Sequence, residues 1–191
     1  EDFEFIKEIN KAIITACGSA FYAGYAGKYV IEKLCKIPVF TELASELRYG
    51  NSIIDGNTLV IALSQSGETA DTIAAIKMCK EKGAKTLAIV NVMESTIAKE
   101  AHNVIYTSAG PEIAVATTKG FTTQLAVLYL FALFVKKKCE KIDLEYYKEL
   151  LNEIELLPKK IREAIDMNSS ISKLANKYVL HDSVFFIGRN T

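Results

Sequence analysis

Six consecutive residues, Ser64, Gln65, Ser66, Gly67, Glu68 and Thr69, hold three hydroxyls and a carboxamide. Hydroxyls and amides are neutral hydrogen-bond donors, and the glycine lets a backbone approach closely. With no Lys or Arg in the loop, an anion held here would be held by neutral donors. Glu68 would repel a bound phosphate, so its expected place is the first turn of the following helix, where the dipole favours a carboxylate.

The flanking residues say how such a loop is positioned. Thr58–Leu63 (TLVIAL) is a short unbroken apolar run, suited to a strand buried on both faces of a parallel sheet. After the loop, Ile73, Ile76 and the stretch up to Lys82 follow helical spacing, and Gly83 stands where a helix would stop. The plan is strand, hydroxyl-rich turn, helix. Ligands of open α/β sheets bind at the carboxyl ends of strands, and the first amides of a helix attract anions. The same residue types also serve as ordinary helix N-caps, so both readings stand at this level.

The plan repeats along the chain. Ala12–Ala16 reads as a first strand, followed by the turn Cys17-Gly18-Ser19-Ala20 and a helix rich in Ala and Gly. Ser19 is a second candidate donor to the same anion, or a helix cap. Pro38–Glu42, Ala84–Val90 and Val104–Thr107 are the further strands, with a short helix carrying Glu42, Ser45, Glu46 and Arg48 up to Tyr49-Gly50 and another over 94–101. Five strands alternating with helices imply right-handed crossovers and a parallel sheet covered on both faces. The expected fold is therefore α/β, a three-layer sandwich of the flavodoxin or Rossmann kind. Thr117 or Thr118 is expected to cap a long helix from about Lys119, and Lys119 is a surface lysine, or else a partner for the bound phosphate or for Glu112. The apolar run Leu125–Val135 is too short to span a bilayer and reads as a buried helix.

Composition narrows the function classes. The 191 residues carry 23 Lys plus Arg and 23 Asp plus Glu, so charge makes no case for nucleic acid or an anionic membrane as partner. The four cysteines, Cys17, Cys35, Cys79 and Cys139, lie far apart without metal-ligand spacing. A reduced, cytoplasmic setting is expected, with neither metal nor cofactor. Residues 136–166 are strongly charged, with Leu144, Leu150, Leu151, Ile154 and Leu157 at helical intervals. The expected organisation is a ligand-binding domain over 1–140, a helical linker over 141–180, and over 181–191 the first strand (Val184–Gly188) of a second, truncated copy. His102 and His181 read as a helix-end surface residue and a linker residue.

At this point the residues carry a resemblance. ACGSAFYAG at 16–24, ELASELRYG at 42–50, LSQSGETADT at 63–72 and EIAVATTKGFTTQL at 112–125 resemble the sugar isomerase (SIS) domain. Within it, they are most similar to the isomerising glutamine–fructose-6-phosphate aminotransferase family. The resemblance implies a five-stranded parallel sheet flanked by helices. It implies that Ser64, Gln65, Ser66 and Thr69 hold a sugar phosphate with Ser19 nearby, and that the backbone around Val115 faces the sugar. Members of that family pass ammonia from glutamine to fructose 6-phosphate and make glucosamine 6-phosphate. They carry a glutaminase domain and two SIS subdomains, and pair as homodimers through the latter.

Two departures bear on activity. Where the family has Thr-Ser after Cys-Gly, this chain has Ser19-Ala20, one hydroxyl fewer. The family's catalytic Glu, His and Lys have no counterpart here, so no catalytic residue is assigned, and a binding subdomain inactive alone is expected. The alternatives are a stand-alone aldose–ketose phosphate isomerase, drawing on Glu42, Glu46 or His102 of a neighbouring subunit, and a non-catalytic sugar-phosphate sensor. A dinucleotide-binding domain is disfavoured, because CGSAFY lacks the GxGxxG spacing.

Overall fold

The computed structural model describes residues 3–113, 116–139 and 142–188. The chain divides into two compact units, Glu1–Lys141 and Ile142–Thr191. The first opens with a 3-10 turn at Glu4–Glu8. It then alternates strand and helix: β1 (Lys11–Ala16), α1 (Ser19–Cys35), β2 (Val39–Leu43), α2 (Ala44–Tyr49), β3 (Thr58–Ser64), α3 (Ala70–Glu81), β4 (Lys85–Val90), α4 (Thr96–Glu100), β5 (Asn103–Tyr106) and α5 (Lys119–Cys139). The five strands expected from apolar runs are the five observed, each within two residues of its expected bounds.

All neighbouring strands are parallel, in the order β2-β1-β3-β4-β5. The chain therefore winds outward in two directions from the β1/β3 pair, and the carboxyl ends of those two strands form the sheet's topological switch point. Every residue of β3 is buried, as its unbroken apolar run requires. Alternate residues serve opposite faces. Ile13, Val60 and Ala62 join a core with Ala44, Leu47, Ala75 and Ile76 of α2 and α3.

Ile14 and Leu63 face α1 on the other side. A Cβ on Gly24 would stand 2.6 Å from Ile14 Cγ2 and 3.2 Å from Leu63 Cδ1, and one on Gly27 would stand 2.6 Å from Leu128 Cδ1 of α5. The glycines of α1 thus let that helix lie against both the sheet and α5. Gly83, φ +87°, ends α3 as expected, its N–H bonding the Lys80 carbonyl at 2.9 Å.

The second unit holds α6 (Leu144–Asp166) and α7 (Asn168–Ala175), neither with a buried residue. Asp143 caps α6 by accepting from the Tyr146 N–H at 2.9 Å. Val184–Gly188, expected as a strand, pairs with no strand among the described residues. Phe186 and Ile187 are each 96% exposed. Its β-rich composition is a local preference, and a strand exists only where another backbone takes up its N–H and C=O groups.

Candidate functional site

The site grows from two strand ends. After β1 the chain turns at Gly18, whose φ of +57° and ψ of −137° suit glycine alone. Ser19 is then the first residue of α1, not its cap, and is exposed; its hydroxyl makes no hydrogen bond among the described residues. After β3 the chain turns at Gly67, φ +70°. Ser64, 4% exposed, holds this turn: its Oγ accepts from the Gly67 N–H at 2.9 Å and lies 3.3 Å from Thr69 Oγ1. Ser66 Oγ accepts from the Glu68 N–H at 3.2 Å. The Gln65 carbonyl accepts from the Asn91 N–H at 3.2 Å, which ties the loop to the end of β4.

Ser19, Ser64, Gln65, Ser66 and Thr69 all line one open cleft of about 210 Å³, with Cys17, Ala20 and Leu63 completing the β1 and β3 side. Thr69 is the N-cap of α3, but its side chain makes no capping hydrogen bond. The hydroxyls that sequence patterning also allowed as ordinary caps therefore leave the first amides of α3 without a side-chain partner among the described residues. Those amides, with the positive end of a twelve-residue helix, give the cleft an anion-attracting wall that needs no basic residue.

Glu68 departs from expectation. It lies ahead of α3, outside its first turn, and its carboxylate accepts from the N–H and hydroxyl of Thr96 at 2.8 and 2.7 Å. Those two bonds hold its pKa below the ordinary carboxylate range. Glu68 thus caps α4, and it is not among the residues lining the cleft.

Three residues of the opposite sequence half complete the cleft: Glu112, Thr117 and Gln124. Glu112 Oε2 accepts from the Gly120 N–H at 3.1 Å and from Thr117 Oγ1 at 3.2 Å. The Gly120 N–H is the leading cause of its lowered pKa. Glu112 therefore satisfies the start of α5, the task expected of Thr117 or Thr118; Lys119 contributes only a nearby positive charge. Gln124 falls on the buried face of α5 with Gly120, Leu128 and Ala132. The signal for it was present: one polar residue at four-residue spacing on an otherwise apolar face. Val115, whose backbone the resemblance puts against the sugar, lies outside the described residues.

The other candidates stand apart from the cleft. His102 Nδ1 accepts from the Thr86 N–H at 3.1 Å, near the start of β4 and so at the amino end of the sheet. Desolvation lowers its pKa. Glu42 accepts from Ser52 Oγ at 2.7 to 2.8 Å.

Comparison with known proteins agrees with this architecture. Residues 5–134 match the SIS domain family. The chain is 47% identical over 186 residues to the glutamine–fructose-6-phosphate aminotransferase (isomerising) of Clostridium tetani, covering 97% of this chain and 31% of that protein. The Caldanaerobacter subterraneus enzyme of the same name is likewise 47% identical over 97% of this chain and 31% of its own. The chain thus spans about a third of the length of these relatives. Among solved structures, the C-terminal domain of glucosamine-fructose-6-phosphate aminotransferase from Francisella tularensis superposes with a TM-score of 0.86 at 33% identity, covering 92% of this chain and 50% of that one. A 2-1-3-4-5 parallel sheet with a hydroxyl-lined cleft at its switch point, and a family match across most of the first unit, lead to one conclusion: the chain belongs to the SIS domain family.

Proposed function

We propose that this chain is the fructose 6-phosphate-binding SIS subdomain of an isomerising glutamine–fructose-6-phosphate aminotransferase. The observation that carries the reading is the uncapped start of α3, faced by the hydroxyls of Ser64, Ser66 and Thr69 at the β1/β3 switch point. The phosphate would take the α3 amides and these hydroxyls, and the sugar would extend between Ser19, Gln65 and the start of α5. The whole enzyme would use ammonia from glutamine to make glucosamine 6-phosphate, and the names of the relatives support that assignment.

The chain would contribute binding and orientation. Moving a proton between adjacent sugar carbons needs a positioned base. Glu112, the only carboxylate lining the cleft among the described residues, is held on the Gly120 amide and the Thr117 hydroxyl. The base and the ring-opening group would come from the second SIS subdomain. A glutaminase domain, pairing as a homodimer and a cytoplasmic location belong to the same reading; the four free thiols support the last. No helix among the described residues is long and apolar enough to cross a membrane.

Titration calorimetry tests the reading, with fructose 6-phosphate, glucose 6-phosphate, glucosamine 6-phosphate and inorganic phosphate as ligands. Saturable hexose-phosphate binding, tighter than that of inorganic phosphate, is expected. No binding at millimolar ligand would overturn the cleft as a formed site.

A further inference from the structure

Gln124 is 3% exposed, on the buried face of α5, and it lines the cleft. Its carboxamide makes no hydrogen bond among the described residues, and unlike Thr15 Oγ1 and Ser95 Oγ it is not sealed from solvent, so its polar end meets the open cleft. A carboxamide presented to a cleft without a protein partner is available to a ligand.

The cleft is electrically polarised. On the α3 side stand unclaimed helix amides and three hydroxyls. On the α5 side the carboxylate of Glu112 sits on the Gly120 N–H, one helical turn before Gln124. The bonds to Gly120 and Thr117 keep that carboxylate ionised, and its charge disfavours a phosphate on this wall. A carboxamide is neutral and both donates and accepts, which matches sugar hydroxyl and carbonyl groups.

Resting on the sugar-phosphate reading of the cleft, we infer that Gln124 is a specificity-determining residue. It hydrogen-bonds the polyol of the sugar and fixes its orientation, with the phosphate on α3 and the carbon chain toward α5. Gly27 makes this possible from a distance: its bare Cα lets Leu128 pack against α1, which sets the depth of α5 and of Gln124 one turn earlier.

The test compares the wild-type chain with Gln124→Met, a substitution close in volume, using fructose 6-phosphate and inorganic phosphate as separate ligands. The variant should bind fructose 6-phosphate roughly three- to tenfold more weakly, the loss of about one hydrogen bond. Its affinity for inorganic phosphate should not change, and its melting temperature should hold or rise. The side-chain amide resonances of Gln124 in the wild-type chain give a reading that needs no variant: they should move with fructose 6-phosphate and stay with inorganic phosphate. Unchanged sugar-phosphate affinity, an equal loss for both ligands, or amide signals indifferent to the sugar would each overturn the inference while leaving the cleft's assignment intact. A wild-type chain that binds neither ligand would remove both.

Discussion

Gly67 and Ser95 stand so close that a Cβ on the glycine would fall 2.0 Å from Ser95 Oγ. Ser95 is buried, and its hydroxyl has no partner among the described residues. The Gly67 carbonyl accepts from the Ile97 N–H at 3.0 Å. The turn that presents the loop hydroxyls is thus clamped to Ser95 and the first turn of α4.

Gly67→Ala meets two penalties at once: a φ of +70° and a collision with a side chain that has little room to move. A loss of about 1–3 kcal/mol is expected, read as a lower melting temperature with weaker hexose-phosphate binding. An unshifted melting point would mean that the loop relaxes freely and is not held by Ser95.

The three loop hydroxyls should separate by role. Ser64→Ala strands the buried Gly67 N–H, which costs about 1–3 kcal/mol of stability, in addition to weakening binding. Ser66→Ala and Thr69→Ala should each reduce sugar-phosphate affinity without unfolding the domain. Thermal melts beside calorimetric titrations of the three variants check the division; unchanged affinity in both of the latter would sink their assignment.

Ala20 lines the cleft beside Ser19, where the resemblance implies a second hydroxyl. Ala20→Ser should tighten fructose 6-phosphate binding by about 0.5–1.5 kcal/mol, the worth of one hydrogen bond. Weaker binding would mean that the turn after β1 presents this position differently from the rest of the family.

Glu68 predicts an acid-sensitive clamp. The hydroxyl and N–H of Thr96 lower its folded pKa below the ordinary value of 4.5. A carboxylate with a depressed folded pKa stabilises fully above its unfolded pKa, and that contribution disappears as pH falls through the folded value. Melting temperature followed from pH 7 down to about pH 3 should fall less for Glu68→Gln than for wild type across the acid limb, with the variant already less stable at pH 7. Parallel curves would show that the Thr96 contact contributes nothing.

Local pattern was enough for the sheet and for half of the site. The central strands β1, β3 and β4 announce themselves by apolar runs, because a strand buried on both faces tolerates nothing else, and the turns after β1 and β3 by small polar residues. The loop after β3 could be seen as a donor set because its hydroxyls are neighbours in the chain. Glu68 was misplaced because its true partner, Thr96, is 28 residues away, and nothing local distinguishes a carboxylate in a helix's first turn from one that reaches sideways to a different helix. Val184–Gly188 shows the limit of local pattern: its β-rich composition pairs with no strand among the described residues.

By itself, then, the sequence determined the α/β alternation, the β3 loop as a set of neutral donors, and the family, since all three depend on residues close together in the chain. Only the tertiary structure decided that α3 begins uncapped, that Glu112 takes over the start of α5, and that Gln124 is buried against the cleft. These bring together residues far apart in the chain; the depth of α5, for one, is set where Gly27 of α1 meets Leu128, a contact that neither helix specifies alone.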